Sequence, residues 1–231
     1  MKIEVIGLDA DDTLWHSEDG FEETIAHFVD LLRPYAVGLT DDELRIELDR
    51  TERRNVHLFG YGVKSYTLSM VEAAIAIGGP TLPAPIITKV VDLGRELLSR
   101  PVELIDGAVD VVHELSRDYQ LLLITKGDLL HQERKIHESG LADYFDAIEV
   151  VSEKDPASYA RLLREHRVEP AHFLMVGNSV RSDVLPVLAL GARAVHIPYH
   201  LVWAHEIAEH DGSVPELAAL TDLPAWLAAN A

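Results

Sequence analysis

Cysteine is absent from the 231 residues, which excludes disulfides and thiolate metal sites alike. Positive charge is scarce as well: Lys and Arg number 20 against 39 Asp and Glu, giving a formal net charge of −19. A chain of that sign is not built to wrap nucleic acid or an anionic membrane, because both require a basic footprint. A small anionic substrate stays admissible if a metal and a few Lys or Arg supply positive charge locally. Long hydrophobic runs are also missing. Each apolar stretch is broken by charge, Gly or Pro well before bilayer-spanning length, and no apolar leader precedes the first strand-like run. The expectation is a soluble, cytoplasmic protein with no nucleic-acid or membrane partner. Whether it is a monomer or a homodimer is not encoded in any recognisable pattern.

What is present begins at residue 5. The run Val5-Ile6-Gly7-Leu8 reads as a buried strand and stops on Asp9, Asp11 and Asp12. Desolvating unpaired carboxylates is costly, so a cluster of them at the end of a buried strand calls for a cation or a polar reactant.

After this strand the pattern turns helical until about residue 100. Asp19-x-x-Glu22 has the form of a capping box ahead of Phe21, Ile25, Phe28 and Leu32. Thr40-x-x-Glu43 is a second box, opening a helix that carries Arg45, Arg50, Arg53 and Arg54. A third helix spans 65–77 and stops at Gly78-Gly79-Pro80; a fourth follows Pro83 and Pro85. Four helices are too many for one crossover, so residues 15–99 are assigned to an inserted all-helical domain. Residues 1–14 and 100–231 form the core. There, strands predicted at 120–125, 146–150, 172–176 and 193–197 alternate with helices at 108–117, 129–139, 157–166 and 183–190. Continuous apolar strands between helices predict an α/β fold: a three-layer α/β/α core on a parallel sheet, Rossmann-like in rhythm. The polar strand ends gather at one edge, the usual ligand site of such sheets. Beyond 198 the pattern is weak, with a short strand near 215–219 and a short helix around Trp226.

Four strand ends carry the chemistry. The first offers Asp9-x-Asp11-x-Thr13, the second Thr125, the third leads to Lys154, and the fourth ends in Gly177-Asn178-Ser179 with Asp183 beyond. In content and order they resemble the four motifs of the haloacid dehalogenase (HAD) superfamily, in its phosphatase-like subgroup with a helical cap inserted after the first strand. That resemblance implies that Asp9 is a covalent nucleophile and Asp11 a general acid/base. The chemistry agrees. A carboxylate attacking phosphorus gives an aspartyl-phosphate, and a second acid two residues on can protonate the leaving alkoxide and later activate water. Thr13 steadies the loop. Thr125 donates to a phosphoryl oxygen, Gly127 permits close backbone approach, and Lys154 or its neighbour in function, Lys126, supplies positive charge.

Two departures from the family pattern matter. Gly177-Asn178 stands where Gly-Asp is usual, so an amide replaces one acid of the implied metal set: Asp9, the Asp11 carbonyl, Asn178 and Asp183. Every candidate ligand is oxygen, which implies Mg²⁺, with Mn²⁺ as a substitute. Either Asn178 or Asp183 could be the direct ligand. Secondly, Lys154 precedes Tyr159 by five residues rather than the usual six. His196, His200 and His205 follow no ligand grammar and are assigned no metal.

The resemblance implies a Mg²⁺-dependent phosphomonoester hydrolase acting on a small phosphorylated metabolite. A phosphomutase or a 2-haloacid dehalogenase of the same superfamily is the alternative; a catalytically weakened phosphometabolite-binding protein is the reading from another class. Asp11 weighs against dehalogenation, because halide leaves without a proton. Substrate choice is expected from the insert and its junction, with His16, Arg53, Arg54, Tyr61 and Lys64 as candidate contacts. Each has a plainer role as a surface residue.

Overall fold

The computed structural model describes residues 2–203, 205–208, 212 and 214–230. Its sheet has five strands: β1 (Val5–Leu8), β2 (Gln120–Lys126), β3 (Ala147–Val151), β4 (Phe173–Gly177) and β5 (Arg193–His196). All pairings are parallel, in the order β3-β2-β1-β4-β5. β1 is therefore central, and the order reverses between it and β4. The crevice beyond the carboxyl ends of these two strands is where ligands of open parallel sheets bind.

Alternation along the strands builds two cores. Ile6, Leu8, Leu121 and Leu123 face one way, against α5 (Ala108–Leu115), α6 (Leu129–Ser139) and the last helix, at Leu223–Asn230. Val5, Leu122 and Ile124 face the other, against Tyr159, Leu162 and Leu163 on α7 (Pro156–Glu165) and Val187 on α8 (Leu185–Leu188). Three layers result, α/β/α. Among the described residues no helix is long and apolar enough to cross a membrane.

Two compact units divide the chain. One comprises Met1–Glu18, Val102–Lys126 and Gln132–Ala231; the other comprises Asp19–Pro101 and Gly127–His131. The second unit holds α2 (Asp41–Phe59), α3 (Val63–Gly78) and α4 (Ala84–Ser99), with nearly all of α1 (Glu18–Leu32), around its own core of Phe28, Leu32, Leu44, Leu48, Tyr66, Met70 and Val90. The Thr40–Glu43 box forms, each side chain meeting the other's backbone N–H.

The boundaries differ from the 14/15 and 99/100 junctions expected. Residues 15–18 stay with the sheet: Ile105 N–H donates to the Leu14 carbonyl, His16 N–H to that of Glu103, and Trp15 forms a backbone bridge with Leu104. Asp19-x-x-Glu22 is not the start of α1 either. Asp12 caps it, its carboxylate accepting the N–H groups of Ser17 and Glu18 at 2.8 and 3.0 Å. Residues 127–131 group with the helices, where Asp128 pairs with Lys64 at 2.9 Å. Near 215–219 there is only a bridge between Glu216 and His196.

Candidate active site

The site grows from the end of β1. Asp9 continues the strand, its N–H bonded to the Val176 carbonyl of β4, and the chain then curls through Ala10-Asp11-Asp12. Asp12 takes a left-handed φ of 61°, a conformation Asp tolerates better than most residues. The curl leaves Asp9 6% exposed and Thr13 1% exposed. The Thr13 hydroxyl donates to Asp9 Oδ2 at 3.3 Å and to Asn178 Oδ1 at 3.5 Å, tying the first motif to the fourth.

Lys154 lies at the centre. Its ammonium donates to Asp9 Oδ1 and, at 2.7 Å, to Asp183 Oδ1. The shortened spacing to Tyr159 does not stop it reaching both acids, and the Tyr159 hydroxyl donates to the Ser182 carbonyl behind them. Asp183 belongs to a π-helical turn, Val180–Val184, and its Oδ2 accepts the Ser179 N–H at 3.0 Å. Gly177 makes this possible, since a Cβ there would lie 2.2 Å from Asp183 Oδ2. Burial and the neighbouring Asp183 push the Asp9 carboxyl up to about 7, despite Lys154. Burial alone would depress the Lys154 ammonium, but Asp183 and Asp9 outweigh it and raise it above the usual lysine range.

Asp11 is held from three sides. Lys135 and Trp15 Nε1 donate to its Oδ1 at 2.5 and 2.6 Å, and Gln132 Nε2 to its Oδ2 at 2.9 Å. Burial favours the neutral acid, yet the Lys135 charge and these hydrogen bonds hold it below the ordinary carboxylate range. Asp11 therefore stands as an anion, ready as a base; acting as an acid requires it to take up a proton first.

Thr125, buried near the end of β2, meets Gln132 Nε2 at 3.1 Å. Lys126 turns instead to Glu206 and Ser182, at 2.5 and 2.9 Å. Glu206 also accepts the hydroxyls of Ser179 and Ser182. Burial opposes that charge, but Lys126 and the hydrogen bonds bring the Glu206 carboxyl down to about 2. Gly127 adopts φ 137°, which favours glycine, and is assigned to the helical unit. His16 is bonded to the Tyr199 hydroxyl at 2.6 Å. His196 Nε2 sits 3.0 Å from the Asn178 carbonyl and its Nδ1 3.2 Å from Glu216.

Within the helical unit, Arg53 pairs with Asp49, Arg54 with Glu72 and Lys64 with Asp128. Tyr61 lies half-buried in the turn between α2 and α3. The sequence reading missed Gln132, Lys135, Glu206 and the capping role of Asp12. Lys135 and Gln132 fall on what reads as the solvated face of a surface helix. Glu206 lies in a segment without periodicity.

Among the described residues, no cluster of three or more His, Cys, Asp and Glu is arranged to hold a metal. The site nevertheless suits a hard divalent cation. Two buried carboxylates share one ammonium, and the Asn178 amide adds a further oxygen, so the donor set is all oxygen with more negative than positive charge.

A family model for haloacid dehalogenase-like hydrolases matches residues 3–191. A crystal structure of a haloacid dehalogenase-like family hydrolase from Xanthomonas campestris is 43% identical, covers 98% of this chain and 91% of that one, and superposes with a TM-score of 0.86. The HAD-hydrolase YfnB of Bacillus subtilis, crystallised with magnesium, is 18% identical over 98% of this chain and 99% of its own, with a TM-score of 0.64. Mouse N-acylneuraminate-9-phosphatase is 31% identical over 96 residues, 39% of this chain and 39% of the mouse protein. The chain thus aligns with about two fifths of the length of that curated relative.

Proposed function

The chain belongs to the haloacid dehalogenase-like hydrolase family, and within it we propose a phosphomonoesterase that acts on a small phosphorylated metabolite through an aspartyl-phosphate on Asp9. The observation carrying this reading is the pair Asp9 and Asp11 on one curl of chain, each with its own lysine. A dehalogenase has no use for the second, separately stabilised carboxylate. Asp9 Oδ attacks phosphorus, and the P–O bond to the leaving group breaks. Lys154 screens the charge gathering on Asp9 and the phosphoryl oxygens. Thr125 donates its hydroxyl to a non-bridging oxygen. A protonated Asp11 hands its proton to the departing alkoxide; as an anion it then takes one from the water that cleaves the acyl phosphate. Asp9, the Asp11 carbonyl, Asn178 and Asp183 would hold Mg²⁺, or Mn²⁺ in its place, which when bound neutralises phosphoryl charge and orients the group. The magnesium in YfnB and the phosphatase activity in the name of the mouse relative support the same class.

The test is phosphate release from a panel of acyl, aryl, sugar and carboxylic-acid phosphates, with and without Mg²⁺. Asp9→Asn, nearly isosteric, is expected to lower turnover by at least ~10³-fold while remaining folded. Release of halide from 2-haloacids without phosphate release would overturn the proposal. So would undiminished phosphatase activity in contamination-controlled Asp9→Asn protein.

A further inference from the structure

Helix α6 buries the wrong residues for a helix that merely covers a sheet. Leu129 and Leu130 are 57% and 67% exposed, while Gln132 and Lys135 are only 3% and 8% exposed. Burying an ammonium and an amide costs desolvation and rotamer freedom that Leu or Ile would not. Such a conflict between local pattern and burial marks a functional constraint. The two residues are three apart and so share one helix face. Both point at Asp11.

The bonding fixes the orientation of the Gln132 amide. Its nitrogen faces Asp11 Oδ2 at 2.9 Å and the Lys126 carbonyl at 2.8 Å, both acceptors only, so it cannot be exchanged with the oxygen. Its two hydrogens are shared among these acceptors and the Thr125 hydroxyl oxygen, to which it also donates. Thr125 Oγ1, 3.1 Å from the same nitrogen, cannot donate to it, because an amide nitrogen is no acceptor. The Thr125 proton is thereby directed elsewhere. Gln132 Oε1 is buried and has no hydrogen-bond partner among the described residues, an orphan acceptor beside the acid/base group.

We propose that Gln132 and Lys135 are positioning residues that lock the Asp11 carboxylate in one rotamer and couple it to Thr125, so that proton transfer and phosphoryl binding share a single frame. This rests on the reading of Asp11 as the acid/base. Lys135 fixes one carboxylate oxygen and Gln132 the other.

The experiment measures kcat/KM for an alkyl phosphate and for p-nitrophenyl phosphate in Gln132→Leu, Lys135→Met and Lys135→Arg, alone and combined with Asp11→Asn. The parameter kcat/KM covers steps through departure of the leaving group, and only the alkyl ester needs a well-placed proton to depart. Gln132→Leu and Lys135→Met should each lose at least about tenfold more on the alkyl than on the aryl ester. Lys135→Arg should recover part of the loss, and neither change should add to that of Asp11→Asn. Equal losses on both esters, or losses that multiply with that of Asp11→Asn, would overturn the positioning role. If Asp11→Asn itself spares the alkyl ester, the acid/base reading fails instead. Crystal structures of Gln132→Leu and Lys135→Met give an answer independent of activity: an unmoved, fully ordered Asp11 in both would overturn the proposal.

Discussion

The two compact units use charge in opposite ways. In the helical unit Arg33–Asp41, Arg54–Glu72 and Arg95–Asp92 are pairs whose side chains all keep more than two fifths of their surface exposed. Such pairs are screened by water and salt and contribute little. In the sheet unit the Lys154, Asp9 and Asp183 side chains are 2%, 9% and 1% exposed. Lys135 and Lys126 are 10% and 16% exposed beside their acids. Burying charge is a poor way to stabilise a protein, because desolvation rivals the attraction gained. Among the described residues of the sheet unit these buried pairs gather at one edge, where the strand order reverses. The contrast points to the same edge as the motifs without using them.

The sharpest way to break this contrast is Lys154→Met. It strands two buried carboxylates without their common cation, and losing one partner of a buried pair costs roughly 3–5 kcal/mol. Urea denaturation should show a loss of that size, and turnover should fall at least ~10³-fold. A loss under about 1 kcal/mol would mean that water reaches the Asp9–Asp183 pair.

Glu206 tests the same contrast at lower cost. Its carboxyl is held at about 2, below the unfolded value near 4.5. A depressed carboxylate stabilises the fold above its unfolded pKa, and the contribution fades as pH falls through the folded pKa. At 1.36 kcal/mol per unit, a fall from 4.5 to about 2 amounts to about 3 kcal/mol at neutral pH. Glu206→Gln should therefore be destabilised by about that amount at pH 7, and should converge on the parent protein between about pH 5 and pH 2. Hydrogen exchange across residues 198–208 reads the effect directly. A difference independent of pH would assign Glu206 a packing role instead.

What the sequence discloses follows the same division. Asp9 and Asp11 are legible because an apolar strand ending on acids violates the usual pattern. Thr40 and Glu43 are legible because a capping box is wholly local. Helix and strand limits shift by a residue or two, the ordinary uncertainty of frayed ends. Asp19-x-x-Glu22 misleads, because it has the letters of a cap although α1 starts at Glu18 and receives its cap from Asp12, six residues earlier. Lys135 and Glu206 were out of reach for a different reason. Each is explained only by a partner far along the chain, Asp11 and Lys126, and nothing local distinguishes it from a solvated charge.

The smallest effect is expected from Arg54, and it bears on both halves of the comparison. Arg54 and Asn55 are adjacent on α2 and both reach Glu72, Arg54 to Oε1 at 2.6 Å and Asn55 to Oε2 at 2.7 Å. They differ in burial. The Arg54 side chain is 58% exposed, whereas Asn55 is 4% exposed and also donates to Ser69 Oγ at 3.2 Å. Removing the guanidinium leaves Glu72 in water with its other bond intact, so Arg54→Ala should cost no more than about 0.5 kcal/mol, and less in high salt. Asn55→Ala leaves the buried Ser69 hydroxyl without a partner it now has and opens a small void, for roughly 1–3 kcal/mol. Thermal unfolding of the two variants at low and high salt gives the ranking. The same Arg54→Ala protein settles whether this arginine selects substrates. If its charge is committed to Glu72, the order of kcat/KM across mono- and bis-phosphorylated substrates should not change. A selective loss of at least about fivefold on the bis-phosphorylated ones would show that the pair opens to bind a second anionic group.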